Sequence, residues 1–317
     1  MMQVIDLGFN ISLIDTFDLG KERRTGSYVL HAEELTIIET SASPSIPYVL
    51  KGLDQLGIDL EKVKNIIVTH IHLDHAGGVG LLLKHCPNAK VIVHPRGKRH
   101  LADPAKLILG AQAVYGDKFK ELFDPILPVP EDRLMIKEDG DIIKIDEERT
   151  LTFYDTPGHA KHHFSIHDSL SNGIFTGDTI GVYYPQLIEH GMELYLPSTS
   201  PNQFDPDAML QSIDRVSKLH VDRIYFGHYG MTEHPAHVYE QIQYWLPIFV
   251  AAGKKVWEEY ANASFDAKQH ALFQLLFSEV SRYAEENNIV LEGDILDIIG
   301  LDLNVCSMGM LDYLAKL

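Results

Sequence analysis

Cysteine is nearly absent from this chain: among 317 residues only Cys86, in KHCPN, and Cys306, in NVCSM, occur, and neither belongs to a C-x-x-C pair. That excludes a disulfide framework and leaves two reduced, structural thiols, which suit a cytoplasmic protein. Basic residues are also scarce. The 27 lysines and arginines face 45 acidic side chains, a formal charge of −18, which repels phosphate backbones and anionic membrane faces. Neither nucleic acid nor a membrane is therefore an expected partner. Long apolar runs are missing too. LPIFVAA at 246–252 falls far short of the ~20 residues that span a bilayer, and MMQVIDLGFN lacks the basic region and apolar stretch of a secretory signal.

What is present is an apolar share of 45%, enough for a sizeable core, in a chain longer than one core usually needs. From residue 28 short apolar runs alternate with turn signals. YVLHA and LTIIETSAS precede a helical SIPYVLKGLDQLG, then NIIVTH, a helical GVGLLLKHC and the strand AKVIVHP follow. Such alternation predicts an α/β layered fold. Strands return at DIIKI, RTLTFYDT, HFSIH and GIFTG, close enough in sequence for antiparallel pairing. A helix DPDAMLQSIDRVSKLH, capped by Asp205, comes before the strand VDRIYFGH. From about 235 the period lengthens to 3.6, with NIVLEG the one strand-like stretch. The expected division is an α/β domain over 1–234 and a helical extension over 235–317, whose apolar tail NVCSMGMLDYLAKL docks on its own domain or on the twin subunit of a homodimer.

The chemistry concentrates in THIHLDHAGG. Residues two apart in an extended segment point the same way, so His70 and His72 can aim both imidazoles at one ion. Asp74 and His75 follow a change of direction and can face a second. Imidazole and carboxylate donors suit zinc, with manganese and iron as alternatives. Three later signals each follow a predicted strand and adjoin a glycine: TPGH with His159, FTGD with Asp178 and YFGH with His228. Together they read as seven ligands, with His234 in TEHPAH a competitor for the place of His228. His94 reads as the end of a strand, and His162 and His163 as residues that pack against the site.

In that order, THIHLDHAGG, TPGH, GD and GH resemble the metallo-β-lactamase fold superfamily, over residues 28 to about 232. Within it, AKVIVHP, HLADPAKL, YDTPGHAKHH and TSPNQFDPD look most like an uncharacterised subfamily allied to lactonases and glyoxalase II. The resemblance implies an αββα sandwich with the helical extension appended, and two divalent cations. His70, His72 and His159 would bind the first, Asp74, His75 and His228 the second, and Asp178 would bridge them. True zinc β-lactamases commonly carry Cys at the place of Asp178 and a non-histidine at that of His75, which disfavours β-lactams as the native substrate. Flavodiiron proteins carry Glu at the place of His72 and add a flavodoxin domain, which this chain lacks.

The implied activity is hydrolysis of a small ester, lactone or thioester by a hydroxide shared between the ions, with Asp74 passing a proton to the leaving group. Tyr183 and Tyr184 are candidates to bond the substrate carbonyl. Lactonase relatives place a tyrosine three residues after the bridging Asp, where this chain has Gly181. The rival readings are a glyoxalase II-like thioesterase, which would need Lys254, Lys255, Lys268 or Arg282 to hold glutathione carboxylates, a phosphodiesterase, and a metal-binding relative without turnover.

Overall fold

Alternation along the strands decides the layers. The computed structural model describes residues 4–317, which fall into two units. One runs to Asp155 and resumes over His162–Gly177 and Val221–Glu233; the other comprises Thr156–Lys161, Asp178–His220 and His234–Leu317.

The first unit holds two sheets. Strands β1 (Val4–Asp6), β2 (Ile11–Asp15), β3 (Gly26–Leu30), β4 (Leu35–Ile38), β5 (Val63–Ile67), β6 (Lys90–Val93) and β7 (Leu134–Ile136) form one, in sequence order. It is antiparallel up to β4 and parallel from β4 to β7. The crossovers carry helices α1 (Ile46–Gln55), α2 (Leu73–Ala76), α3 (Val79–Leu83), α4 (Pro95–Ala102), α5 (Ala105–Tyr115) and α6 (Phe119–Phe123). The other sheet comprises β8 (Ile142–Lys144), β9 (Thr150–Asp155), β10 (Phe164–Asp168), β11 (Gly173–Gly177), β14 (Arg223–Phe226) and β15 (Met231–Thr232), in the order β15-β14-β11-β10-β9-β8. Its pairs are antiparallel except β11 with β14.

Successive side chains of a strand face opposite sides, and the core follows that rule. Leu13, Tyr28, Ile38, Ile67 and Ile92 meet Leu151, Phe153, Phe164 and Phe175 between the sheets. Their neighbours Ile14, Val29, Ile37, Ile66 and Val91 turn the other way and pack with Val49, Leu53 and Leu82 of the helices. A buried ion pair ties the edge of this core: Arg149 donates to Asp168 at 2.7 and 2.9 Å.

The second unit has a two-stranded ribbon, β12 (Val182–Tyr183) with β13 (Tyr195–Leu196), and helices α7 (Pro206–Ser217), α8 (Pro235–Glu259), α9 (Phe265–Glu286) and α10 (Gly293–Leu314). The expected cap on α7 is present, Asp205 accepting from the Ala208 amide at 3.0 Å. Buried stripes recur every three or four residues: Ile242, Trp245, Phe249, Ala252 and Val256 on α8, Leu272, Leu276 and Val280 on α9, and Ile299, Leu303, Cys306 and Met310 on α10. The apolar tail thus docks within its own chain. NIVLEG is not a strand. Asn288 turns the chain with φ 61° and Val290 stands 75% exposed, with no strand among the described residues paired to it. No helix among the described residues is long and apolar enough to cross a membrane.

Candidate metal centre

The first unit gathers five of the expected ligands beyond the ends of β5 and β14. His70 and His72 lie on a short turn after β5, not on the strand itself, and His72 is the residue from which α2 starts. Their rings are 4.7 Å apart. Asp74 and His75 sit on the single turn of α2, and His228 on the turn between β14 and β15. That turn is pinned by the buried Tyr28, whose hydroxyl lies 2.6 and 2.7 Å from the carbonyls of Phe226 and Gly230.

Asp74, His75 and His228 present donor atoms that all lie within 4.8 Å of one another. Asp74 Oδ2 is 3.6 Å from His75 Nε2 and 3.7 Å from His228 Nε2. Both separations are too long for good hydrogen bonds. They are near the roughly 3.4 Å expected between two donors held at ~2.1 Å on a tetrahedral ion. The donor set and its spacing therefore fit a divalent cation.

The outer partners fix which nitrogen faces the group. Glu39, just past β4, is 1% exposed; its Oε2 accepts from His75 Nδ1 at 2.7 Å and its Oε1 from the Thr69 amide, also at 2.7 Å. A carboxylate in this role only accepts, so His75 carries its proton on Nδ1 and its lone pair on Nε2. Thr69 Oγ1 in turn lies 3.0 Å from His70 Nδ1. Glu39 and Thr69 escaped the sequence reading; the one signal was a glutamate closing the apolar run LTII. A second buried carboxylate, Asp18, is raised by burial, with Arg24 opposing, Asp74 adding to the rise and His228 lowering it.

His162 and His163 pack against the cluster as expected, with ring centroids 6.3 and 5.0 Å from His70. His94 instead caps α4 and bonds Asp155 at 3.0 Å. His234, in the other unit, is 2.8 Å from Glu193.

The second unit carries the remaining two expected ligands, His159 and Asp178. His159 Nδ1 donates to the Ser198 carbonyl at 3.0 Å, which again puts the lone pair on Nε2. Nε2 lies 3.7 Å from Asp178 Oδ2, the same separation as in the first unit, and the Ser198 hydroxyl donates to Asp178 Oδ2 at 3.3 Å. Both side chains are buried. Both tyrosines are buried; the Tyr184 hydroxyl donates to Asp302 at 3.0 Å, and Tyr183 stacks on Tyr195 at 5.2 Å. Gly181 has φ +100° and an added Cβ would meet Ile242 at 2.4 Å, so no side chain can stand there.

A family model described as the metallo-beta-lactamase superfamily matches residues 21–228. A metallo-beta-lactamase fold-containing protein of Sulfurisphaera tokodaii is 29% identical over 208 residues, 64% of this chain and 72% of its own. The N-acyl homoserine lactonase AttM of Rhizobium radiobacter is 28% identical over 173 residues, 55% of this chain and 60% of its own. Among solved structures, a metallo-beta-lactamase family protein of Thermus thermophilus superposes with a TM-score of 0.66 at 18% identity, covering 98% of this chain and 95% of its own. At that identity the likeness carries the fold alone.

Proposed function

The chain belongs to the metallo-beta-lactamase superfamily, and from that premise we propose that it is a dinuclear metal-dependent hydrolase of a small ester, lactone or thioester. The observation that carries this reading is the group Asp74, His75 and His228, convergent within 4.8 Å, with Glu39 setting the tautomer of His75. By the order of the motifs, His70, His72 and His159 would hold one ion, Asp74, His75 and His228 the other, with Asp178 shared. When bound, such ions supply Lewis acidity and make water acidic enough to attack at neutral pH.

The protein's own groups then have separate tasks. The imidazoles of His70 and His75 are buried, whereas the Asp74 side chain is 25% exposed. Asp74 is thus placed to orient the attacking water and carry its proton to the leaving oxygen or sulfur as the acyl bond breaks. Tyr183 is the better candidate to meet the substrate carbonyl, since the Tyr184 hydroxyl is turned to Asp302. A glutathione thioester is the weaker substrate class. Of the four candidate cations, Lys268 is buried with its ammonium over Trp257, 4.1 Å from the ring centroid, and Arg282 is held by Glu279 and Glu286.

The test pairs elemental analysis with a panel of N-acyl homoserine lactones, simple lactones, aryl esters and acyl-glutathiones. Two ions per chain and turnover of a lactone or ester are expected. Purified protein that takes up no transition ion, or metal-loaded protein inert across the panel, refutes the reading.

A further inference from the structure

Along α10, Asp302, Cys306, Gly309 and Tyr313 recur at spacings of four and three, so they line one face of the helix, and Lys316 continues the spacing just past its end at Leu314. Every one of them meets the segment 184–204. Asp302 accepts from Tyr184, Tyr313 packs edge-on against Phe204 at 5.7 Å, and Lys316 donates to the Asn202 carbonyl at 2.6 Å.

The contact is tightest around Ser198. The Cys306 thiol lies 3.4 Å from the Pro197 carbonyl and 3.5 Å from the Thr199 amide, and the Cys306 carbonyl accepts from Thr199 Oγ1 at 2.8 Å. Burial pushes that thiol up to about 12, so at neutral pH it keeps its proton and can donate. At Gly309 the two backbones nearly touch. An added Cβ would stand 1.7 Å from the Thr199 carbonyl oxygen and 2.5 Å from the Ser200 carbonyl carbon. Residues on both sides of Ser198 are therefore clamped by one helix, and Ser198 is the residue that holds His159 through its carbonyl and Asp178 through its hydroxyl.

We propose that α10 is a positioning element for His159 and Asp178: by fixing Pro197 and Thr199 it sets Ser198 between the two ligands, so that cation binding and docking of the helix stabilise each other. This rests on the reading of His159 and Asp178 as metal ligands. The coupling is reciprocal. Whatever the docked helix adds to cation affinity, the cation must return to the helix.

The experiment titrates zinc into metal-depleted, full-length protein against a chromophoric chelator. Thr199→Val keeps the shape and removes the Oγ1 bond; it is expected to weaken zinc binding about tenfold, the lower end for loss of a ligand's outer support. Gly309→Ala should weaken it at least as much. Gly300→Ala, on the same helix but with its Cβ 4.0 Å from the nearest atom, on Phe277, should stay within twofold of wild type. In wild-type protein, zinc should slow alkylation of Cys306, resolved from Cys86 by mass spectrometry, about tenfold. A helix that is merely structural would leave the labelling rate indifferent to zinc. If Gly309→Ala does not fold, Thr199→Val and the labelling decide. Wild-type protein that binds no zinc overturns this proposal together with the ligand reading. Wild-type protein that binds zinc, with either Thr199→Val unchanged or labelling insensitive to zinc, overturns this proposal alone.

Discussion

Replacing Glu39 by glutamine should damage metal binding more than folding. Glu39 receives two hydrogen bonds at 2.7 Å, from the Thr69 amide and from His75 Nδ1, and it is buried. A glutamine offers one acceptor and one donor in the same space, so only one of those two N–H groups keeps its partner. The protein has an escape. His75 can move its proton to Nε2 and accept the new amide N–H at Nδ1, which satisfies the hydrogen bonds but removes the lone pair from the nitrogen that faces Asp74 and His228. Metal-free stability should then fall by about 1–3 kcal/mol, the scale of one charge-assisted hydrogen bond, while zinc affinity falls 10- to 100-fold. Glu39→Ala, with no escape, should cost about 3 kcal/mol or more in the metal-free protein, because two buried donors lose their acceptor. Urea unfolding in chelator gives the first quantity and zinc competition the second. A Glu39→Gln protein that binds zinc within threefold of wild type would refute the tautomer argument.

Other expectations follow from the same geometry. Arg149→Met leaves Asp168 charged in a site with no exposed surface, and urea unfolding should show a loss of about 3–5 kcal/mol; a loss under 1 kcal/mol would mean that the pair is not buried as described. The Cys306 thiol, raised from 9.0 to about 12, stays protonated in the folded chain when the unfolded chain has begun to ionise. Its contribution is therefore intact below pH 9 and declines as pH rises from 9 toward 12, by about 1.4 kcal/mol at pH 10. Cys306→Ala should flatten the fall in unfolding free energy between pH 8 and 10, and an identical slope would refute the assignment. With its charge of −18, the protein should pass through a heparin column at moderate salt, and retention would point to a local basic surface that the overall balance hides.

The candidate ligands stood out because imidazoles and carboxylates crowded after a strand have few other uses, and because each later candidate stands beside a glycine at the end of an apolar run. The layered sheets were legible from alternation wherever runs are long, as in NIIVTH and RTLTFYDT. The hairpin of β1 and β2 was not. Its turn is built on Gly8, Phe9 and Asn10, all with positive φ, and only the glycine and the asparagine announce a turn by type. NIVLEG failed for the opposite reason. Its composition suits a strand, but pairing depends on a neighbour, and a one-dimensional pattern carries no information about neighbours.

The outer partners were invisible for a different physical cause. Glu39 and the Ser198 carbonyl do the same task for His75 and His159, holding a proton on Nδ1 with an oxygen that can only accept. Any carbonyl can do this, so the requirement leaves no residue type behind, and for Ser198 it leaves not even a side chain. Yet this is what leaves a lone pair on Nε2 of each of these two histidines. A neutral imidazole with no partner is split between two tautomers, and a ligand in the wrong tautomer must first shed a proton to bind a cation. Two sequences with the same seven candidate ligands could therefore differ widely in affinity, and the difference would reside in backbone placement. Here that placement is set by the end of β4 for one histidine and by the packing of α10 for the other.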